Sequence, residues 1–84
     1  MVKVKIELTG AGDRWRVKET TITYDDQDVQ RLGPMDQAME YEEAVKESKR
    51  WTMLMIREKH RAETEDDIVW ELEPSRPPRH ILKL

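Results

Sequence analysis

A chain of 84 residues, 39% charged and 37% hydrophobic, bounds a single small domain with a modest core and leaves little room for a deep catalytic cleft. The absence of cysteine excludes a disulfide frame, a thiolate nucleophile and a thiolate metal site. The net charge of −3 is sorted into blocks, basic in 1–24, acidic in 25–48, basic in 49–61, acidic in 62–74 and basic in 75–84, which predicts one acidic and one basic surface.

The first element is the clearest. Val2, Val4, Ile6 and Leu8 alternate with Lys3, Lys5 and Glu7, the period of a strand with one buried face. TGAGD follows as a turn, and Trp15 and Val17 resume the alternation, so residues 2–24 read as a hairpin. Ile22 and Tyr24 have the opposite parity to Trp15 and Val17, which predicts a β-bulge near Glu19 to Thr21.

Asp25 and Asp28 look like the capped start of a short helix that ends at Gly33, and Pro34 suits the first turn of a longer one, with Asp36 favoured there by the helix dipole. That main helix is predicted over 34–50, with Ala38, Tyr41, Ala44, Val45 and Ser48 on its buried side. The stretch KRWTMLMIREKHR admits two readings. Continued as helix, it makes an element of nearly thirty residues, far above the mean of about 11–12. As a strand it places Trp51, Met53 and Met55 on one face, and the polar ETEDD turns into a second alternation at Ile68, Trp70 and Leu72. The hairpin is the preferred reading, although Met, Leu, Glu, Lys and Arg are good helix formers.

The resulting expectation is an α+β fold in ββαββ order: an antiparallel sheet of four or five strands, one main helix packed on one face, and a single domain over 1–73. Residues 74–84, with three prolines in PSRPPR and then HILKL, read as a tail or an edge strand.

Candidate chemistry is sparse. His60 and His80 have no ligand partner at metal spacing, and Gly10-Ala11-Gly12 leads into a strand where a phosphate loop needs a helix. Asp26 and Asp28 resemble a calcium loop, but its obligatory sixth-position glycine is Arg31. PSRPPR fits a minimal polyproline ligand pattern, a match common by chance. No cofactor and no metal are expected. The longest apolar run, Met53 to Ile56, falls far short of a membrane span, and MVKVKIEL is no signal peptide, so the expected setting is the cytoplasm without membrane contact.

Two binding readings remain. In the first, the protein is a non-enzymatic binding or inhibitor protein, of the kind phages or mobile elements direct at host nucleic-acid-handling complexes. It would hold a protein partner through an acidic helix bearing Asp36, Glu40, Glu43 and Glu47, with Met35, Met39 and Met53 as adaptable contacts. The second is single-stranded nucleic-acid binding on a basic sheet face, with Arg14, Arg16, Lys49, Arg50, Arg57 and Lys59 neutralising phosphates and Trp51 stacking on a base. Against stacking stands the need of a core without phenylalanine for its tryptophans. Either reading is compatible with a monomer or a homodimer.

Overall fold

The computed structural model describes residues 1–59 and 64–75. Strands β1 (Val2–Ala11) and β2 (Arg14–Thr23) form the predicted hairpin, burying Val2, Val4, Ile6 and Leu8 from the first and Trp15 and Val17 from the second. Gly10 has φ 147°, and a Cβ there would lie 2.2 Å from the carbonyl oxygen of Arg14, so the turn requires glycine. Glu7 pairs with Glu19 while Leu8 pairs with Val17, which leaves Lys18 as the extra residue of a bulge. The buried set accordingly switches to Thr20, Ile22 and Tyr24. One inserted residue thus keeps both ends of β2 facing the same core.

The next segment departs from expectation. Instead of a short helix, Asp28 N–H bonds to the Asp26 carboxylate at 3.1 Å in an Asx turn, Gln27 takes φ 68°, and strand β3 (Val29–Leu32) pairs antiparallel with β2. A few residues make a poor isolated helix, because the first turn fixes many dihedrals for one bond, whereas the edge of β2 offers a ready ladder. The same edge claims residues 33–39. Met35 N–H bonds to the Val17 carbonyl at 3.0 Å, and Met39 and Trp15 exchange backbone bonds of 2.7 and 2.6 Å. The main helix therefore does not begin at Pro34.

It begins later and runs further: α1 spans Tyr41–Lys59. Tyr41, Ala44, Val45 and Ser48 are buried as predicted, Ala38 is exposed because it precedes the helix, and the buried side continues through Thr52, Met53 and Ile56. The preferred strand reading of 51–60 is thereby overturned over its described residues, 51–59, in favour of the helical continuation. Helix propensity and a near match in length explain this: nineteen residues at about 1.5 Å each cover nearly the whole length of β2. The ring of Tyr41 packs edge-on against Trp15 with centroids 5.4 Å apart, Ser48 and Thr20 share a hydroxyl bond of 3.1 Å, and Lys59 sits 4.2 Å over the Tyr24 ring. The helix thus runs in the direction of β2 and opposite to β1.

That direction fixes the last strand. The chain leaves α1 at the end of the sheet where β1 starts, so β4 (Ile68–Glu73), entered through a 3-10 turn at Glu65–Asp67, lies parallel to β1, with Val2 beside Ile68 and Ile6 beside Leu72. The alternation of Ile68, Trp70 and Leu72 holds, and the Trp70 indole N–H ties the strand to the Glu65 carbonyl at 3.1 Å. The fold is an α+β domain with a four-stranded mixed sheet in the order β3-β2-β1-β4 and one helix on one face. It differs from the expected antiparallel ββαββ arrangement in the third strand before the helix and in the parallel β1–β4 pair. His60, His80, most of the proline-rich motif and HILKL lie outside the described residues.

Candidate functional site

The outward surface of α1 is organised in rows, because residues three, four and seven apart share a helical face. One row carries Glu47, Trp51 and Glu58, with Glu40 just before the helix in line with it. Lys46, Arg50 and Arg57 each precede a member of that row by one residue, so a basic row runs beside it at about 100°. Contacts to the sheet give the two rows their sides. Trp51 and Ser48 line a groove with Leu32, Gly33, Met35 and Thr20, on the β3 side. Lys49 lies 5.0 Å from the centroid of the Trp70 ring, on the β4 side. The helix therefore turns its acidic row toward β3 and its basic row away from it. Arg50 and Glu47, at 3.7 Å, form an exposed pair across the boundary.

The groove encloses about 220 Å³ and is almost wholly apolar at its surface. Its hydroxyls, Thr20 and Ser48, satisfy each other. Trp51 stands at its rim 51% exposed, and Leu54, three residues on, is 50% exposed. An indole half exposed beside an apolar groove, where Trp15 is only 3% exposed, is the feature of this surface that folding does not explain.

The sequence-predicted acidic residues are only partly brought together. Glu40, Glu43 and Glu47 lie on one exposed side at the start of α1, but Asp36 belongs to the extended segment along β2, in a hollow with Arg16 and Lys18. Met35 and Met39 are half-buried against the core and Met53 is buried. Of the basic set, Lys49, Arg50, Trp51, Arg57 and Lys59 are on α1, whereas Arg14 and Arg16 alternate with the buried Trp15 and Val17 and so point from the opposite face of the sheet. The sheet separates these two groups. Trp51, expected on a strand, is on the helix, and Trp15 is core. The uncovered sheet face also sets Glu7 between Glu19 and Glu73 as cross-strand neighbours, which places three carboxylates in one row.

Lys59 has a structural role. Its ammonium bonds to Asp28 at 2.6 Å, which holds the Asp28 carboxyl below its ordinary value and raises Lys59 above its own. The pair fastens the end of α1 to the turn before β3. Burial raises the Tyr24 hydroxyl while Lys59 opposes that shift, and the hydroxyl donates to Gln30 at 2.9 Å.

Three participants went unseen in sequence reasoning: Leu32, Leu54 and Glu58. The strand reading of 51–60 hid the last two, since only helical spacing puts Leu54 and Glu58 near Trp51. Among the described residues, no group of three histidine, cysteine or carboxylate side chains is placed to hold a metal ion, and no helix is long and apolar enough to cross a membrane. No family model, curated protein or solved structure matches the chain.

Proposed function

We propose that the chain is a non-enzymatic binding module that takes a protein partner on the β3-side flank of α1. The observation that carries this reading is Trp51, half exposed at the rim of an apolar groove and bracketed along its own row by Glu47 and Glu58. A large aromatic beside a preformed groove is the usual anchor of an interface, and surrounding charge sets partner choice and encounter rate. The carboxylates select a partner surface that presents an apolar side chain among lysines or arginines. A partner whose basic surface handles nucleic acid would lose that surface on being covered, which is the route from binding to inhibition.

Nucleic-acid binding is the weaker reading. It asks Arg14 and Arg16 to act with Trp51 from opposite sides of the sheet, and it asks a polyanion to approach past Glu47 and Glu58.

Selection of a displayed random-peptide library on the immobilised protein tests the proposal, with a Trp51→Ala, Glu47→Lys double variant as the counter-target. The expected result is enrichment of peptides that carry bulky apolar residues flanked by Lys or Arg and that do not bind the variant. Enrichment of acidic peptides, or equal binding to both targets, would overturn it.

A further inference from the structure

We infer that the partner segment is extended and adds as a further strand to the outer edge of β3, with its helix-side residues in the groove beside Trp51. The inference rests on the binding reading above and names the conformation and chemistry of what binds.

The ladder supplies the first argument. The Tyr24 N–H bonds to the Asp28 carbonyl at 2.9 Å just beyond the last ladder pair, Thr23 and Val29, which gives residues 24 and 28 the phase of a hydrogen-bonded pair although the Asp28 N–H is taken by Asp26. Pairs alternate in type along such a ladder. With Ile22 opposite Gln30 and Thr20 opposite Leu32, Gln30 and Leu32 turn their backbone groups toward β2. Val29 and Arg31 then turn theirs outward, and among the described residues no strand lies beyond β3. These two residues, spaced by two, make one repeat of an unfilled ladder. Their side chains lie on the uncovered sheet face, away from α1, so they do not obstruct the groove.

The second argument is the match between strand and helix spacing. Glu47 and Trp51 are one turn apart, about 6 Å along the axis. Alternate residues of a strand are about 6.8 Å apart. A segment lying on β3 with cation, apolar residue and cation at alternate positions therefore sets the apolar side chain against Trp51 and a cation toward Glu47, while the other cation points toward Glu58. Pairing of main chains along an edge, with alternate side chains in pockets between that edge and a helix, is an established mode of peptide capture.

Charge argues against a second copy as the occupant. Two β3 edges joined about a twofold axis would set the acidic row against itself, and like charges placed opposite one another destabilise the pair. At the other edge of the sheet, Lys49 lies over Trp70, so the matching space between helix and β4 is already covered.

The test uses the synthetic peptide Thr-Lys-Thr-Leu-Thr-Lys-Thr, followed by amide NMR on the full chain, and two versions of it N-methylated at alternate residues in opposite phase. The expected result is saturable binding that perturbs the amides of Val29 and Arg31 and the indole of Trp51. One N-methyl phase should bind like the parent and the other at least about ten-fold more weakly, because only one set of peptide N–H groups faces β3. Arg31→Pro should weaken binding by a similar factor, while Arg31→Ala should not, since the outward N–H is the group lost. If both N-methyl peptides and Arg31→Pro bind like the parent while Trp51→Ala does not, strand addition is overturned and the groove reading survives. Absence of any saturable perturbation overturns both. A concentration-dependent dimer abolished by Arg31→Pro would assign the edge to a second copy and overturn the inference.

Discussion

Two short stretches of this chain have nearly the same chemistry and opposite fates. Arg14-Trp15-Arg16 and Lys49-Arg50-Trp51 each place an indole next to cations, yet Trp15 is 3% exposed and Trp51 is 51% exposed. Trp15 sits in β2, on the sheet face that α1 covers, with its indole N–H satisfied by the Gly12 carbonyl at 2.9 Å and its ring against Tyr41. Trp51 sits on α1 one position before Thr52, which is wholly buried, so it is turned about 100° out of the core. The comparison teaches that cations beside an aromatic say little about its role. In a strand the flanking residues necessarily point away from the aromatic's own face, whereas on a helix they fan around it.

The comparison can be broken most forcefully at Trp15. Trp15→Ala should destabilise the fold by about 3–5 kcal/mol, a large part of the margin of a small domain, read as a fall in the denaturant midpoint. A change within experimental error would mean that the two tryptophans are not distinguished by packing. Trp51→Ala should leave stability within about 0.5 kcal/mol of wild type and weaken selected peptides by about 2 kcal/mol or more, measured by titration calorimetry. If the Trp51 variant unfolds instead, its exposure is not the relevant property.

A finer probe is the residue next to Trp51. Thr52 is wholly buried, and its hydroxyl has no hydrogen-bond partner among the described residues. Thr52→Val keeps the shape and removes the unmet polar group, so thermal unfolding should show stabilisation of up to about 1 kcal/mol with peptide binding unchanged. Lower stability would place an unrecognised partner on that hydroxyl.

The smallest effect concerns the end of α1. Asp28 titrates below its ordinary value of 3.8 because of the bond to Lys59, so its stabilising contribution is present above that value and is lost as pH falls through the lowered one. Lys59 titrates above its ordinary 10.5, so its contribution is complete below that value and fades as pH rises through the raised one. Asp28→Asn should therefore remove a slight acid-side loss of thermal stability and, because Asp28 is the main cause of the Lys59 shift, most of the alkaline-side loss as well. An unchanged acid limb would show that the exposed pair is too well screened to count.

What the residues specify locally was legible. The alternation in 2–8, the parity switch that demands a bulge in β2, the glycine turn, the buried side of 41–48 and the alternation of 68–72 all appear in the structure, because each depends on a period or a steric requirement within one element. The acidic character of the candidate surface was legible for Glu40, Glu43 and Glu47 for the same reason. Three things were settled only by tertiary structure. The edge of β2 recruited residues 29–39 as a strand and an extended segment, although Asp25, Asp28 and Pro34 read as helix starts, because unpaired strand groups reward pairing more than a short helix rewards its nucleus. The length of β2 let α1 run on through Trp51 to Lys59. The helix then returned the chain to the start of β1 and made β4 parallel, and in the same step placed Trp51, Leu54 and Glu58 on one flank. A short sequence window holds the period of an element, but where that element stops is decided by surfaces contributed by residues far away in the chain.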